Sequence, residues 1–224
     1  MPRRRATCHH EAGHAFARWF FGFRTDRAVV QTGEEIRAGK RLRGRDGDLV
    51  TCHGMVSGDP IHDRPFRPWP VAGGPETQAA ALRWWVYRRD VELIQCYAGF
   101  HTEAHYRRID PAAAMLSGGG ADMERFSAIM EGWSLDKVDR SELEAKVDAW
   151  TRALVRSPQG SAAIQAIAGA LMTRGRLSGA QIAALCREAY GGRECTFEAW
   201  ANQWPPTVEQ IRAGYIPERQ ARAA

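Results

Sequence analysis

Three residues near the start of the chain have the types and spacing of a metal-dependent hydrolytic centre. His10, Glu11 and His14 form an H-E-x-x-H pattern within His9-His10-Glu11-Ala12-Gly13-His14-Ala15. On a helix, residues four apart share a face, so the two imidazoles present themselves to one point. Neutral ring nitrogens in that arrangement suit a zinc ion, Zn2+. Glu11 lies about 100° around such a helix from His10. From there its carboxylate reaches a water on the metal rather than the metal itself. It can take that water's proton and later pass it to a leaving amine. In a chain of this composition the pattern arises by accident on the order of one time in a hundred. The small Ala12 and Gly13 let a second element approach, and Ala15, Phe16, Ala17, Trp19 and Phe20 carry an apolar run onward.

A hydrolytic zinc site takes three protein ligands and one water, so the histidine pair needs a third donor. Glu92, Glu103, Asp110, Asp122 and Glu124 offer carboxylates; His101 and His105 offer imidazoles. Asp122 follows Ser117-Gly118-Gly119-Gly120-Ala121, where a flexible loop is predicted to feed a helix. A carboxylate in the first turn of a helix is held rigidly enough to be a ligand. It equally serves to satisfy orphan N–H groups and the helix dipole. Residue chemistry alone leaves both readings open.

The elements that must position these residues are mostly helical. Helices are predicted over Arg4–Phe21, Thr77–Tyr106, Ala121–Met130, Asp139–Arg156, Ser161–Thr173 and Gln181–Tyr190, from apolar residues at helical spacing. Gly99, inside the longest, permits close packing against the first helix. Two strands are predicted, Asp26–Thr32 and Leu49–Val56, the second a candidate to hold a substrate by its backbone. Glu34–Asp48 reads as an exposed loop or hairpin. Ser57–Pro75, with five prolines, reads as irregular. The expected fold class is mostly α (α+β), helical with a small strand or hairpin element. Residues 1–195 form the expected domain, and 196–224 a C-terminal extension.

The totals set limits. With 224 residues, 44% hydrophobic and 25% charged, the chain is long enough for a real core and ordinary for a globular protein. The net charge is +5, and the first 45 residues hold eleven Arg or Lys against four Asp or Glu. Without a nucleic-acid motif, that asymmetry reads as a solvated basic surface. Five scattered cysteines argue against a disulfide framework and for a reducing, cytoplasmic setting. No signal peptide, membrane span or phosphate-binding loop is found, so no membrane partner is expected.

The stretch His10-Glu11-Ala12-Gly13-His14-Ala15 resembles the H-E-A-G-H-A motif of the FtsH-type ATP-dependent zinc metalloproteases. Tyr97-Ala98-Gly99-Phe100-His101-Thr102-Glu103-Ala104 is similar to that family's G-R-A-A-E-E helix. Ser117-Gly118-Gly119-Gly120-Ala121-Asp122 is similar to its G-A-x-N-D helix start, and Leu171–Ile182 resembles a late helix–turn–helix. The resemblance runs in order from His10 to about Cys186. It implies a zincin-like protease domain with zinc on His10, His14 and Asp122 and Glu11 as general base. It also implies a homo-oligomer. Phe100 stands where the family has Arg, Ala121 where it has Asn, and the paired acids are reduced to Glu103. The segment from about 34 to 75 is longer and richer in Arg, Gly and Pro. Neither the ATPase module nor the membrane anchor of the family is found. The expected activity is therefore a stand-alone zinc metalloendopeptidase acting on flexible polypeptide, or one served by a separate unfoldase. The alternative is a non-catalytic zinc-containing relative used as a binding or regulatory module. In that reading the Pro-rich segment and the Trp200 and Trp204 tail are its contact surfaces.

Overall fold

The computed structural model describes residues 2–44, 47–58, 73–133 and 137–218. Its first helix, α1 (Pro2–Phe20), runs through the middle of the molecule. One flank carries Phe16 and Phe20, both fully buried, against Tyr190 and Trp200. Each such ring contributes roughly 1.5–3 kcal/mol through burial. The other flank carries the histidine pair against the long helix.

After α1 the chain forms β1 (Thr25–Val30), the short helix α2 (Gly33–Arg37), the hairpin β2 (Leu42–Arg43) with β3 (Leu49–Val50), and β4 (Gly54–Gly58). The predicted strand over Leu49–Val56 is thus two strands in two sheets. Its break at 51–53 lets β3 close the hairpin while β4 pairs antiparallel with β1, Val29 opposite Met55 and Val30 opposite Gly54. Glu34–Asp48, expected as an exposed loop or hairpin, holds that hairpin's first strand and most of α2, whose Thr32 and Glu35 form a capping box. Most of the Pro-rich segment, residues 59–72, lies outside the described residues.

The long helix α3 (Pro75–Arg107) is followed by α4 (Pro111–Gly118) and α5 (Gly120–Gly132). Here the structure departs from the sequence reading. α3 ends at Arg107, with Arg108 in the left-handed conformation as its cap, and Asp110-Pro111 starts α4: the Asp110 carboxylate accepts from Ala112 N at 2.8 Å and Pro111 takes the first helical turn. Ser117 and Gly118 then belong to α4 rather than to a loop, and Gly119 alone separates the two helices.

Next come α6 (Lys137–Arg156), α7 (Pro158–Arg174), β5 (Arg176–Ser178), α8 (Gly179–Ala189), α9 (Phe197–Asn202) and α10 (Val208–Arg212). Within Leu171–Ile182, the stretch similar to a helix–turn–helix, lies β5, which pairs antiparallel with β1 and completes a three-stranded sheet ordered β4-β1-β5. Three residues are too few for a period to show. The tail does not form an exposed aromatic surface. Trp200 is fully buried and its indole donates to the Phe20 carbonyl at 2.6 Å. Trp204 is half-buried and donates to the Asp90 carboxylate at 2.8 Å. Residues 196–218 therefore pack on the same core as α1, with Ile211 and Ile216 also buried. No described helix is long and apolar enough to cross a membrane.

Candidate metal centre

Two glycines let α1 and α3 come together. A β-carbon on Gly13 would stand 2.4 Å from the Ala98 carbonyl oxygen. One on Gly99 would stand 2.4 Å from His14 Nε2 and 2.6 Å from His10 Nε2. Any side chain at 99 would therefore occupy the space in which the two imidazoles converge. The close packing expected at Gly99 is present, and what it accommodates is the histidine pair.

The rings are aimed by partners on α3. His14 Nδ1 lies 2.8 Å from the Gln95 carbonyl oxygen. A carbonyl only accepts, so the ring proton sits on Nδ1 and the Nε2 lone pair faces the site. His10 Nδ1 faces Glu103 Oε2 at 3.6 Å, and Arg107 donates to the other oxygen of Glu103 at 2.6 Å. A carboxylate behind a ligating histidine orients the ring and raises its basicity.

Asp122, in the first turn of α5, supplies the third group. Its Oδ2 lies 3.1 Å from His10 Nε2 and 3.4 Å from His14 Nε2, and the two Nε2 atoms are 3.1 Å apart. Three donors of a tetrahedral zinc with bonds near 2.0–2.1 Å are separated by roughly 3.3 Å. The observed triangle has those edges. Nor is Asp122 a helix cap, since no side chain caps α5. Of the seven third-ligand candidates, Asp122 alone reaches both imidazoles. Glu103 stands behind His10, Asp110 caps α4, and Glu92 is buried beside Arg88. His101 faces Asp148 at 3.0 Å, and His105 and Glu124 are exposed.

The charges around the triangle favour anionic Asp122. Burial opposes its ionisation, but His14 and His10 outweigh burial and hold the carboxyl well below the usual carboxylate range. Burial likewise disfavours a charged His10, yet hydrogen bonds to Asp122 and Glu103 prevail and raise it to about 10. A proton and a metal thus compete for the same imidazole.

Glu11 is buried one residue along α1 and lines the same cleft, of about 1060 Å³. Among the described residues no donor holds its carboxylate. It lies against β4 so tightly that a β-carbon on Gly54 would meet Glu11 Oε1 at 2.6 Å. Burial pushes its pKa up, with His10 and His14 opposing and Asp122 assisting. A carboxylate raised in this way is a stronger base than a solvated one.

The structure thus brings together all four residues singled out from the sequence. The orienting Gln95 carbonyl was not legible there, because a backbone group carries no residue-type signal. Gly54, under Glu11, had no signal either. No family model matches the chain, and no curated protein matches it.

Proposed function

We propose that the protein is a metal-dependent peptidase. The observation that carries this reading is the donor triangle of His10, His14 and Asp122 with Glu11 buried beside it. Two imidazoles and one carboxylate suit zinc, and the orienting contacts at Gln95 and Glu103 are those a ligating histidine needs. A zinc ion held there would supply a Lewis acid that acidifies water and polarises a carbonyl.

The chain's own groups supply the remainder. Glu11, unengaged by other donors, accepts the proton of the attacking water and delivers it to the departing amine. β4 has no strand on its outer side among the described residues and lines the cleft through Gly54, Met55 and Val56. It offers backbone groups to an extended polypeptide. The resemblance of the H-E-A-G-H-A stretch and of the Asp122 helix start to the FtsH-type proteases supports the same reading. A purely structural metal site would have no use for a buried carboxylate in Glu11's place.

The test is purified protein supplied with zinc and a flexible substrate such as casein. Cleavage that requires metal and disappears in Glu11→Gln is expected. Cleavage that survives Glu11→Gln, or protein that binds no divalent metal, would sink the proposal. Zinc bound at the triangle without cleavage of any polypeptide would favour the binding-module alternative.

A further inference from the structure

The face of α1 that carries the histidine pair carries cations on either side of it. Arg3 lies two turns before His10 and Arg18 one turn after His14, and both line the cleft. Arg125, one turn after Asp122 on α5, lines it as well. Among the described residues, the acids of the cleft are otherwise committed: Asp122 to the imidazoles, Glu103 to His10 and Arg107, and Glu11 to the reacting centre. Arg3 and Arg125 are exposed, and neither forms an ion pair with a carboxylate among the described residues.

Arg18 is nine-tenths buried, with its guanidinium on the Arg24 carbonyl at 2.6 Å and Gln95 Oε1 at 3.4 Å. Gln95, also nine-tenths buried, lines the cleft with its Nε2 unpartnered. Arg18 and Arg125 both act on one buried carboxylate, Glu92, whose burial nonetheless pushes it up to about 8.

Resting on the peptidase reading above, we propose that the cleft selects polypeptide segments with acidic side chains flanking the bond at the metal centre. A chain lying along the cleft passes the exposed Arg3 on α1 and the exposed Arg125 on α5, both of which line it. Asp or Glu side chains there meet guanidinium donors, an arrangement of charge-assisted hydrogen bonds. Lysine at the same positions meets like charge, which discriminates as strongly as attraction does.

The experiment uses three otherwise identical flexible peptides with Glu, Gln or Lys on both sides of the central bond. Their binding is measured by fluorescence anisotropy on zinc-supplied Glu11→Gln protein, and their cleavage by mass spectrometry on the unsubstituted protein. The Glu peptide is expected to bind about tenfold tighter than the Gln peptide, with the advantage shrinking as salt rises. Arg125→Glu, at an exposed position, is expected to reverse the order toward the Lys peptide, and Arg3→Glu to act the same way. A structural defect would weaken all three alike. Equal binding of the three peptides, or an order that Arg125→Glu leaves unchanged, overturns the inference. Cleavage of all three without preference overturns it while the peptidase reading stands. Selective binding without any cleavage defeats the peptidase reading and keeps the cleft's preference. No binding and no cleavage defeats both.

Discussion

Gly99 on α3 faces the Nε2 atoms of His14 and His10 so closely that a methyl group there would lie 2.4 Å and 2.6 Å from them. Gly99→Ala is therefore expected to push both rings off the triangle. Metal affinity should fall by at least about tenfold, as ligand misplacement does in other sites. Zinc titration with a competing chelator reads the loss. Retention of full affinity would show that the rings converge elsewhere.

Asp122 and Glu103 are expected to separate by role. Asp122→Asn removes the one anionic donor of the triangle and should abolish tight metal binding. Glu103→Gln leaves all three donors and removes the carboxylate behind His10, so affinity should fall by about 10–100-fold without being lost. Metal content after dialysis distinguishes the two. Equal effects would mean that Glu103 is itself a ligand.

Glu11→Gln preserves volume and leaves the donors in place. Metal affinity is expected to stay within a few-fold, while kcat/KM falls by about 10²–10⁴, the usual worth of a positioned general base. Zinc titration and peptide hydrolysis check the two.

Glu92 makes stability fall as pH rises. Burial moves its carboxyl from 4.5 to about 8, with Arg125, Arg88 and Arg18 only partly opposing the shift. The folded chain then holds a proton that the unfolded chain releases near 4.5. Between those values the folded state binds more protons, so stability is lost as pH climbs and the penalty is complete above about 8. The penalty is on the order of a few kcal/mol. Glu92→Gln should match the parent near pH 5 and exceed it near pH 9. Urea denaturation in the presence of a chelator excludes metal linkage.

Trp200→Ala is expected to destabilise the fold by about 3–5 kcal/mol. It empties a fully buried site against Phe20 and Phe21 and removes the bond to the Phe20 carbonyl. A thermal shift of several degrees follows. A variant as stable as the parent would mean that the tail docks loosely, as an appendage rather than as part of the core.

The sequence by itself determined the local terms. Helical spacing predicted α1, α3, α6, α7 and α8, because apolar residues recurring every three or four positions must bury one face. The same spacing put His10 and His14 on a shared face with Glu11 beside them. Short elements escaped: β5 and α4 are too brief for a period, even though Asp110-Pro111 caps and opens α4. The contact surface that the alternative binding-module reading placed at Trp200 and Trp204 does not hold for the fully buried Trp200, because burial of an indole depends on what packs over it. The third donor was open among seven residues until the fold was known. Asp122 lies 108 positions beyond His14 in the chain, and only the docking of α5 on α3, which itself packs on α1, brings its carboxylate within 3.4 Å of that ring. Backbone groups that aim the rings, such as the Gln95 carbonyl, and the basic lining shared by α1 and α5 likewise arise from long-range packing. Periodicity acts within one element, whereas a site is made where several elements meet.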